Sequence, residues 1–352
     1  MPSATKPWTA TEWVASLDPW PEEFGLERMR ALLAGLGDPQ RAFPSIHLVG
    51  TNGKSTATRT IAALLRAEGL RAGAYTSPHV AGWHERLDCD PATFERAVAR
   101  VRKASEEVGA TQFEVLTAAA LAEFAEQEVD AAVVEAGLGG RLDATNVVDA
   151  PVVLLTNIGL EHTEVLGDTP EQIAKEKLAV AHAARVVVMA DNTFEHLVPR
   201  QARVVLGGAR DAAEAFLDRP IAAEVEVELA GRLERRGNEV WDGAHTPEAV
   251  EWLLERLPGR GYVLCVSILA DKDAEGILER LARAGDTLVA TRSRNDRALP
   301  AEVLARIARA HFERVEIAEA PEAALARARA LAGPDGPVLV TGSLYLLADF
   351  PR

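Results

Sequence analysis

Short apolar runs that alternate with amphipathic stretches constrain this chain more than any other feature. Arg71–Tyr75, Asp130–Ala136, Pro151–Asn157 and Arg185–Ala190 are too short for ordinary helices, and they lack the in–out alternation of a strand with one wet face. Between them lie helical patterns over Pro91–Val108, Phe113–Glu126 and Pro170–Ala183, with two further pieces, Thr11–Ser16 and Gly25–Leu36, near the start. Strands buried on both faces and separated by helices predict an α/β fold with a mostly parallel, doubly wound sheet. The rhythm fades between Asp191 and Pro220, a stretch rich in Ala, Arg and Asp that reads as a domain end and a connector. It restarts from Ile221 with a hairpin through Gly231 and Gly237, then Val240–His245 entering a helix. Strands are expected at Tyr262–Ile268, Thr287–Thr291, Arg314–Ile317 and Val338–Thr341. A chain of 352 residues suits two cores. The expected division is residues 1–218 and a smaller, Rossmann-like α/β domain over 219–352.

The stretch Ile46–Thr60 carries the first chemical signal. An apolar run ending at Val49 enters Gly50-Thr51-Asn52-Gly53-Lys54-Ser55 and leaves in a helix bearing Ala, Leu and Ile. Such a strand–loop–helix unit aims backbone N–H groups and the positive end of a helix at an anion. Lys54 would reach the outer phosphates of a nucleotide, and Ser55 or Thr56 would face Mg2+. The full phosphate-loop pattern wants glycine where Leu48 stands, leaving the half-pattern Gly-x-x-Gly-Lys-Ser. Taken alone, it fits either a phosphate cradle or a glycine turn joining a buried strand to an ordinary helix.

A net charge of −15 argues against a broad nucleic-acid surface and against an anionic membrane face. An acidic protein still holds an anionic ligand where the site supplies its own cations. Cys89 and Cys265 lie far apart and form no metal-type pair, so reduced thiols are expected. The first twenty residues carry Pro2, Trp8, Glu12, Trp13, Asp18 and Trp20 instead of a charged start and apolar centre. No apolar run approaches membrane-spanning length. A cytoplasmic monomer acting on small molecules is the expectation, with neither nucleic acid nor membrane as partner.

In a parallel sheet, ligands gather beyond the carboxyl ends of the strands. Ser77, Glu135 and His162 each fall at or just after such an end. Together with nucleotide phosphates they would complete a magnesium shell, which takes few protein ligands and keeps waters. Singly, Glu135 also reads as a helix-dipole partner and His162 as a loop histidine; three strand ends beside Lys54 favour the metal.

Further motifs follow in order: Thr76-Ser77-Pro78-His79, Glu85-Arg86, Phe113-Glu114 with Thr117, the run Glu135 to Asn146, Asn157 with His162, and Glu176-Lys177. In the second half come Gly231-Arg232-Leu233, Asp242-Gly243-Ala244-His245, Leu269 to Asp273 and Thr341 to Tyr345. With the Gly50–Lys54 loop, these resemble dihydrofolate synthase/folylpolyglutamate synthase, a branch of the Mur-ligase-like amide ligases. The likeness covers nearly all of residues 20–347.

That resemblance implies an N-terminal Mur-ligase-like P-loop domain followed by the smaller Rossmann-like domain. It implies ATP-driven joining of L-glutamate to a pteroate or folate carboxylate through an acyl phosphate. Thr51, Asn52, Gly53, Lys54 and Ser55 would hold ATP, with Arg232 and Asp242 on the nucleotide side of the second domain. Ser77, Glu135 and His162 would bind Mg2+. Thr111, Gln112, Phe113, Glu114 and Asp143 would line the pterin substrate, with Arg86 beside them. His245 would lie near the transferred phosphate, and Lys177 matches the family's carbamylated lysine. Outside that context Lys177 reads as a solvated helix lysine paired with Glu171 or Glu176. Lys54, Lys177 and His245 form the expected catalytic group. Ligands drawn from both domains would make closure of the cleft a condition of turnover.

The sequence departs from the family at three places. Ser55 stands for glycine, and Thr246 stands for the asparagine after Asp242–His245. The usual Gly-x-His-Gln-x-x-Asn-Ala segment finds no match between Leu206 and Pro220, so a shortened domain end, without the adenine-side asparagine, is expected. Two other functions fit the same fold. A Mur-type ligase acting on a nucleotide-linked muropeptide would call for a UDP-binding domain ahead of the loop, whereas Gly25-Leu26-Glu27-Arg28 matches the pterin-side entry. A nucleotide-binding ATPase, kinase or regulator would lack ligase activity.

Overall fold

The computed structural model describes residues 8–350, so Pro2 lies outside the described residues. Its contacts divide the described residues into two compact units, one running to residue 79 and over 83–227, the other made of 80–82 and the chain from 228 onward.

The first unit holds β1 (Ser45–Val49), β2 (Ala72–Tyr75), β3 (Ala131–Glu135), β4 (Val152–Leu155), β5 (Val186–Met189) and β6 (Arg203–Leu206). They form one sheet in the order β2-β3-β1-β4-β5-β6, every neighbouring pair parallel. All five residues of β1 are buried. Ile46 and Leu48 pack with Ile61 and Leu65 of the helix Lys54–Ala67, whereas Val49 joins Tyr75, Phe94, Leu116 and Phe124 on the opposite face. Each such side chain contributes about 1.5–3 kcal/mol by leaving water, which is why apolar runs without alternation settle at the centre of a covered sheet. The helix Pro91–Val108 starts where Asp90 accepts from the N–H groups of Ala92 and Thr93, with Pro91 in the first turn.

The stretch expected to be a connector is part of this unit. β6 is the edge strand, and the helix Ala209–Leu217 packs Ala212 and Ala213 into the same cluster as Ile61, with Ile221 following. An edge strand with exposed ends and a nine-residue helix leave little periodic signal. Gly208-Ala209-Arg210-Asp211-Ala212-Ala213-Glu214-Ala215 keeps the spacing of the segment expected to be missing, with Arg210, Asp211 and Glu214 at its polar positions. Arg210 donates to the carbonyls of Ile221 and Ala223, and Glu214 accepts from Ile221 N, so these side chains fasten the following chain, which groups with this unit to residue 227.

The second unit holds β7 (Glu234–Arg236), β8 (Glu239–Trp241), β9 (Val263–Val266), β10 (Thr287–Ala290), β11 (Arg314–Ile317) and β12 (Val338–Thr341). Their order is β11-β10-β9-β12-β8-β7, parallel except for the β7–β8 hairpin. That hairpin turns at Gly237, and Gly231 lies before it, beside an isolated Leu229–Arg232 bridge. Leu264, Val266, Leu288 and Leu339 line one face of the sheet, and Cys265, Val289, Val338 and Val340 the other. Among the described residues no helix is long and apolar enough to cross a membrane.

Candidate functional site

The loop after β1 is held before any ligand arrives. Gly53 caps the helix Lys54–Ala67 at φ 81°, a left-handed turn that glycine adopts without strain. Asn52 N donates to Asn157 Oδ1 at 2.8 Å, Gly159 N to Thr51 Oγ1 at 3.0 Å, and Thr156 Oγ1 to Asn52 O at 2.7 Å. The segment after β4 is therefore the loop's scaffold. Lys54 Nζ donates to the carbonyls of Gly50 and Thr51 at 2.7 and 3.1 Å, which keeps its ammonium on the loop.

Glu135, the last residue of β3, is 1% exposed. One oxygen accepts from Ser55 Oγ and the other from Ser77 N, both at 3.0 Å, so three strand ends meet at one carboxylate. His162 starts the short helix Thr163–Leu166 in a left-handed conformation, with Nδ1 3.8 Å from Glu164. Among the described residues no three His, Cys, Asp or Glu side chains form a metal-binding group. The expected set of Ser77, Glu135 and His162 holds only two of those types, and its buried carboxylate beside serine suits a hard cation that shares its shell with phosphate oxygens.

Lys177, on the helix Pro170–Leu178, has a side chain only 2% exposed; Nζ donates to Gly50 O at 3.0 Å and to Glu161 Oε1 at 2.7 Å. Burial, then the nearby Lys54 charge, hold its pKa below the usual lysine value. Burial pushes the Glu161 carboxyl up, but Lys177 and Lys54 outweigh it and leave that pKa below the ordinary value. The solvated-lysine alternative for Lys177 therefore fails: Glu176 faces Arg141 at 2.9 Å instead. Glu161 escaped the sequence reading, although an acid directly before His162 in a polar strand-end segment was a visible signal.

The residues expected to line a pterin mostly brace loops. Thr111 and Glu114 form a capping box, and Glu114 also takes Arg28 Nε at 2.7 Å. Gln112 Nε2 donates to Val14 O at 3.0 Å. Asp143, 6% exposed, accepts from the N–H groups of Gly137, Leu138 and Thr145 at 3.0, 2.8 and 3.0 Å, and burial pushes its pKa up. Phe113 packs 6.1 Å from Tyr75, ring centre to ring centre, and against Gly137. Arg86 Nε donates to His79 Nδ1 at 3.0 Å, with its guanidinium 5.5 Å from the Trp83 ring. Burial and then Arg86 push the His79 pKa down to about 3.

In the second unit, Asp242 follows β8 and is 3% exposed. It accepts from Leu233 N and Ala244 N at 2.8 Å each, and burial raises its pKa against the pull of Arg232. Arg232 itself donates to Gly231 O at 3.2 Å. His245 Nδ1 lies 2.8 Å from Gly243 O, and a carbonyl only accepts, so that nitrogen carries the proton. Thr246 caps the helix Pro247–Leu254 by accepting from Ala249 N, a task within reach of the asparagine it stands for.

Comparison with known proteins agrees with both units. The family model described as the Mur ligase middle domain matches residues 48–230, and that described as the Mur ligase, glutamate ligase domain matches residues 231–344. A dihydrofolate synthase/folylpolyglutamate synthase of Mycobacterium tuberculosis is 33% identical, over 85% of this chain and 82% of that protein. A probable bifunctional folylpolyglutamate synthase/dihydropteroate synthase of Haloferax volcanii is 32% identical over 92% of this chain, which spans 48% of that longer protein. A crystal structure of a bifunctional folylpolyglutamate synthase/dihydrofolate synthase with Mn, AMPPNP and L-glutamate bound matches at a TM-score of 0.84 and 27% identity, over 97% of each chain. Matched by the middle-domain model over more than half its length, and by the mycobacterial synthase across most of both proteins, this chain belongs to the dihydrofolate synthase/folylpolyglutamate synthase branch of the Mur ligase family.

Proposed function

We propose that this chain is an ATP-dependent carboxylate–amine ligase that joins L-glutamate to dihydropteroate, to tetrahydrofolate and its polyglutamates, or to both acceptors. The observation that carries this reading is the meeting of the Gly50–Ser55 loop, Glu135 and Lys177 at the carboxyl ends of β1, β2 and β3. A carboxylate is a poor electrophile. Transfer of the γ-phosphoryl group to it gives an acyl phosphate, from which the glutamate amine then displaces phosphate. Phosphoryl transfer needs positioning and charge neutralisation above all, and loop N–H groups with Lys54 provide both. Ser77, Glu135 and His162 would hold Mg2+, which when bound neutralises phosphate charge. Burial and the Lys54 charge lower the Lys177 pKa, which makes the free amine, the form that captures carbon dioxide as a carbamate, easier to reach than in an ordinary lysine. A carbamate there would supply anionic oxygens of the kind a hard cation prefers. In the second unit, Arg232 and Asp242 are assigned to the nucleotide and His245 to the transferred phosphate. A cytoplasmic monomer remains part of this reading.

The test compares acceptors. Purified protein with ATP, Mg2+ and L-glutamate is expected to consume dihydropteroate; no reaction with dihydropteroate alongside full activity on tetrahydrofolate would remove the dihydrofolate synthase assignment.

A further inference from the structure

His47 is fully buried at the centre of the sheet, on β1, level with Val134 of β3 and Val153 of β4. Its Nε2 lies 2.8 Å from Thr145 Oγ1, and that hydroxyl donates to Asp143 Oδ1. A hydroxyl has one proton, so Thr145 gives it to the carboxylate and accepts from His47, which fixes the imidazole as the Nε2–H tautomer. Nδ1 then has no partner among the described residues. A bare ring nitrogen in an apolar core destabilises the fold. An aliphatic side chain would fill the place without that cost, so what the position supplies is a buried donor.

The donor leads somewhere specific. Asp143 takes the N–H groups of Gly137 and Leu138, the turn that leaves β3 just after Glu135. That turn runs into Gly140, where an added Cβ would stand 2.5 Å from Lys177 O and 2.8 Å from Glu176 O. Arg141 N closes the contact by donating to Glu176 O at 3.0 Å. The backbone that carries Lys177 therefore rests on a turn fixed by Asp143.

We propose that His47 and Thr145 are positioning residues: with Asp143 they form a buried relay, from the central strand to the turn after β3, that sets where Lys177 stands relative to Glu135. Asp143 serves the reaction through this relay. The kinetic arm of the test rests on the ligase reading above; the structural arm does not.

His47→Leu, His47→Gln, Thr145→Val and the double variant His47→Leu/Thr145→Val are compared in the full chain. His47→Leu is expected to unfold at the same or higher urea concentration than the parent while kcat falls about tenfold with KM for ATP unchanged, the loss typical of groups that orient ligands from behind. His47→Gln, which keeps a donor, recovers most of kcat. The double variant is no slower than His47→Leu, because both changes cut one relay. Unchanged kcat in His47→Leu, or losses that multiply in the double variant, would overturn the relay. Should His47→Leu not fold, Thr145→Val against Thr145→Ser carries the same comparison. If the parent shows no ligation at all, the ligase reading fails, and 15N spectra of the histidine rings decide the relay alone: a proton on Nε2 of His47 supports it and a proton on Nδ1 refutes it.

Discussion

The charge balance around the Gly50 carbonyl rests on Lys54, Lys177 and Glu161, two cations and one anion. Lys177→Ala leaves the loop N–H groups and Lys54 in place, so nucleotide affinity should change by less than about threefold while kcat falls by about a hundredfold or more. Weakened ATP affinity with kcat unchanged would show that Lys177 only helps ATP bind. His47 gives a second prediction, for stability. Burial, followed by the His182 charge, holds the native His47 pKa at about 3 against 6.5 in a free chain. Between those values the unfolded chain takes up a proton that the native state refuses, so stability is full above pH 6.5 and declines as the pH falls towards 3. Urea midpoints at pH 7 and pH 4.5 should differ less in His47→Gln than in the parent; an identical difference would mean that His47 protonates in the native state. Lys54, Ser77 and Glu135 were legible because strand ends and a Gly-Lys-Ser turn announce themselves in sequence order. The pairing of Glu161 with Lys177 and that of Thr145 with His47 were not, since each joins residues distant in the chain.

Among the elements, the turn Gly137–Gly140 is the most tightly constrained. Gly140 lies against the backbone of the helix Pro170–Leu178, and backbone gives way less readily than a side chain. Gly140→Ala should cost about 1–3 kcal/mol of unfolding free energy, the usual range for overpacking. It should also lower kcat, since the same contact carries Lys177; a stable variant with full activity would mean that the turn adjusts freely. Elements at the centre of each sheet were easy to read because burial on both faces writes a continuous apolar run: β3 and β12 lie where expected. β6 was hidden by its place at the sheet edge, where Arg203 and Leu206 remain exposed, and the helix Ala209–Leu217 by its shortness. A motif matched by residue type alone went unseen as well, because Arg210, Asp211 and Glu214 keep the spacing and change the chemistry.

At the scale of the whole molecule, alternation of strand and helix was enough to predict two α/β units, and the two six-stranded sheets follow from it. What alternation cannot encode is the strand order, which depends on crossovers such as the one that takes the chain from β1 past β3 to β2. The chemistry belongs to that order, because it brings the ends of β1, β2 and β3 together around Glu135. The central claim is that this arrangement couples ATP cleavage to amide formation. The most direct measurement is ADP release by the purified chain with ATP, Mg2+ and dihydropteroate, with and without L-glutamate. The account predicts sustained release only when glutamate is present, with one amide formed for each ADP; steady release without glutamate would make the protein an ATPase and contradict it.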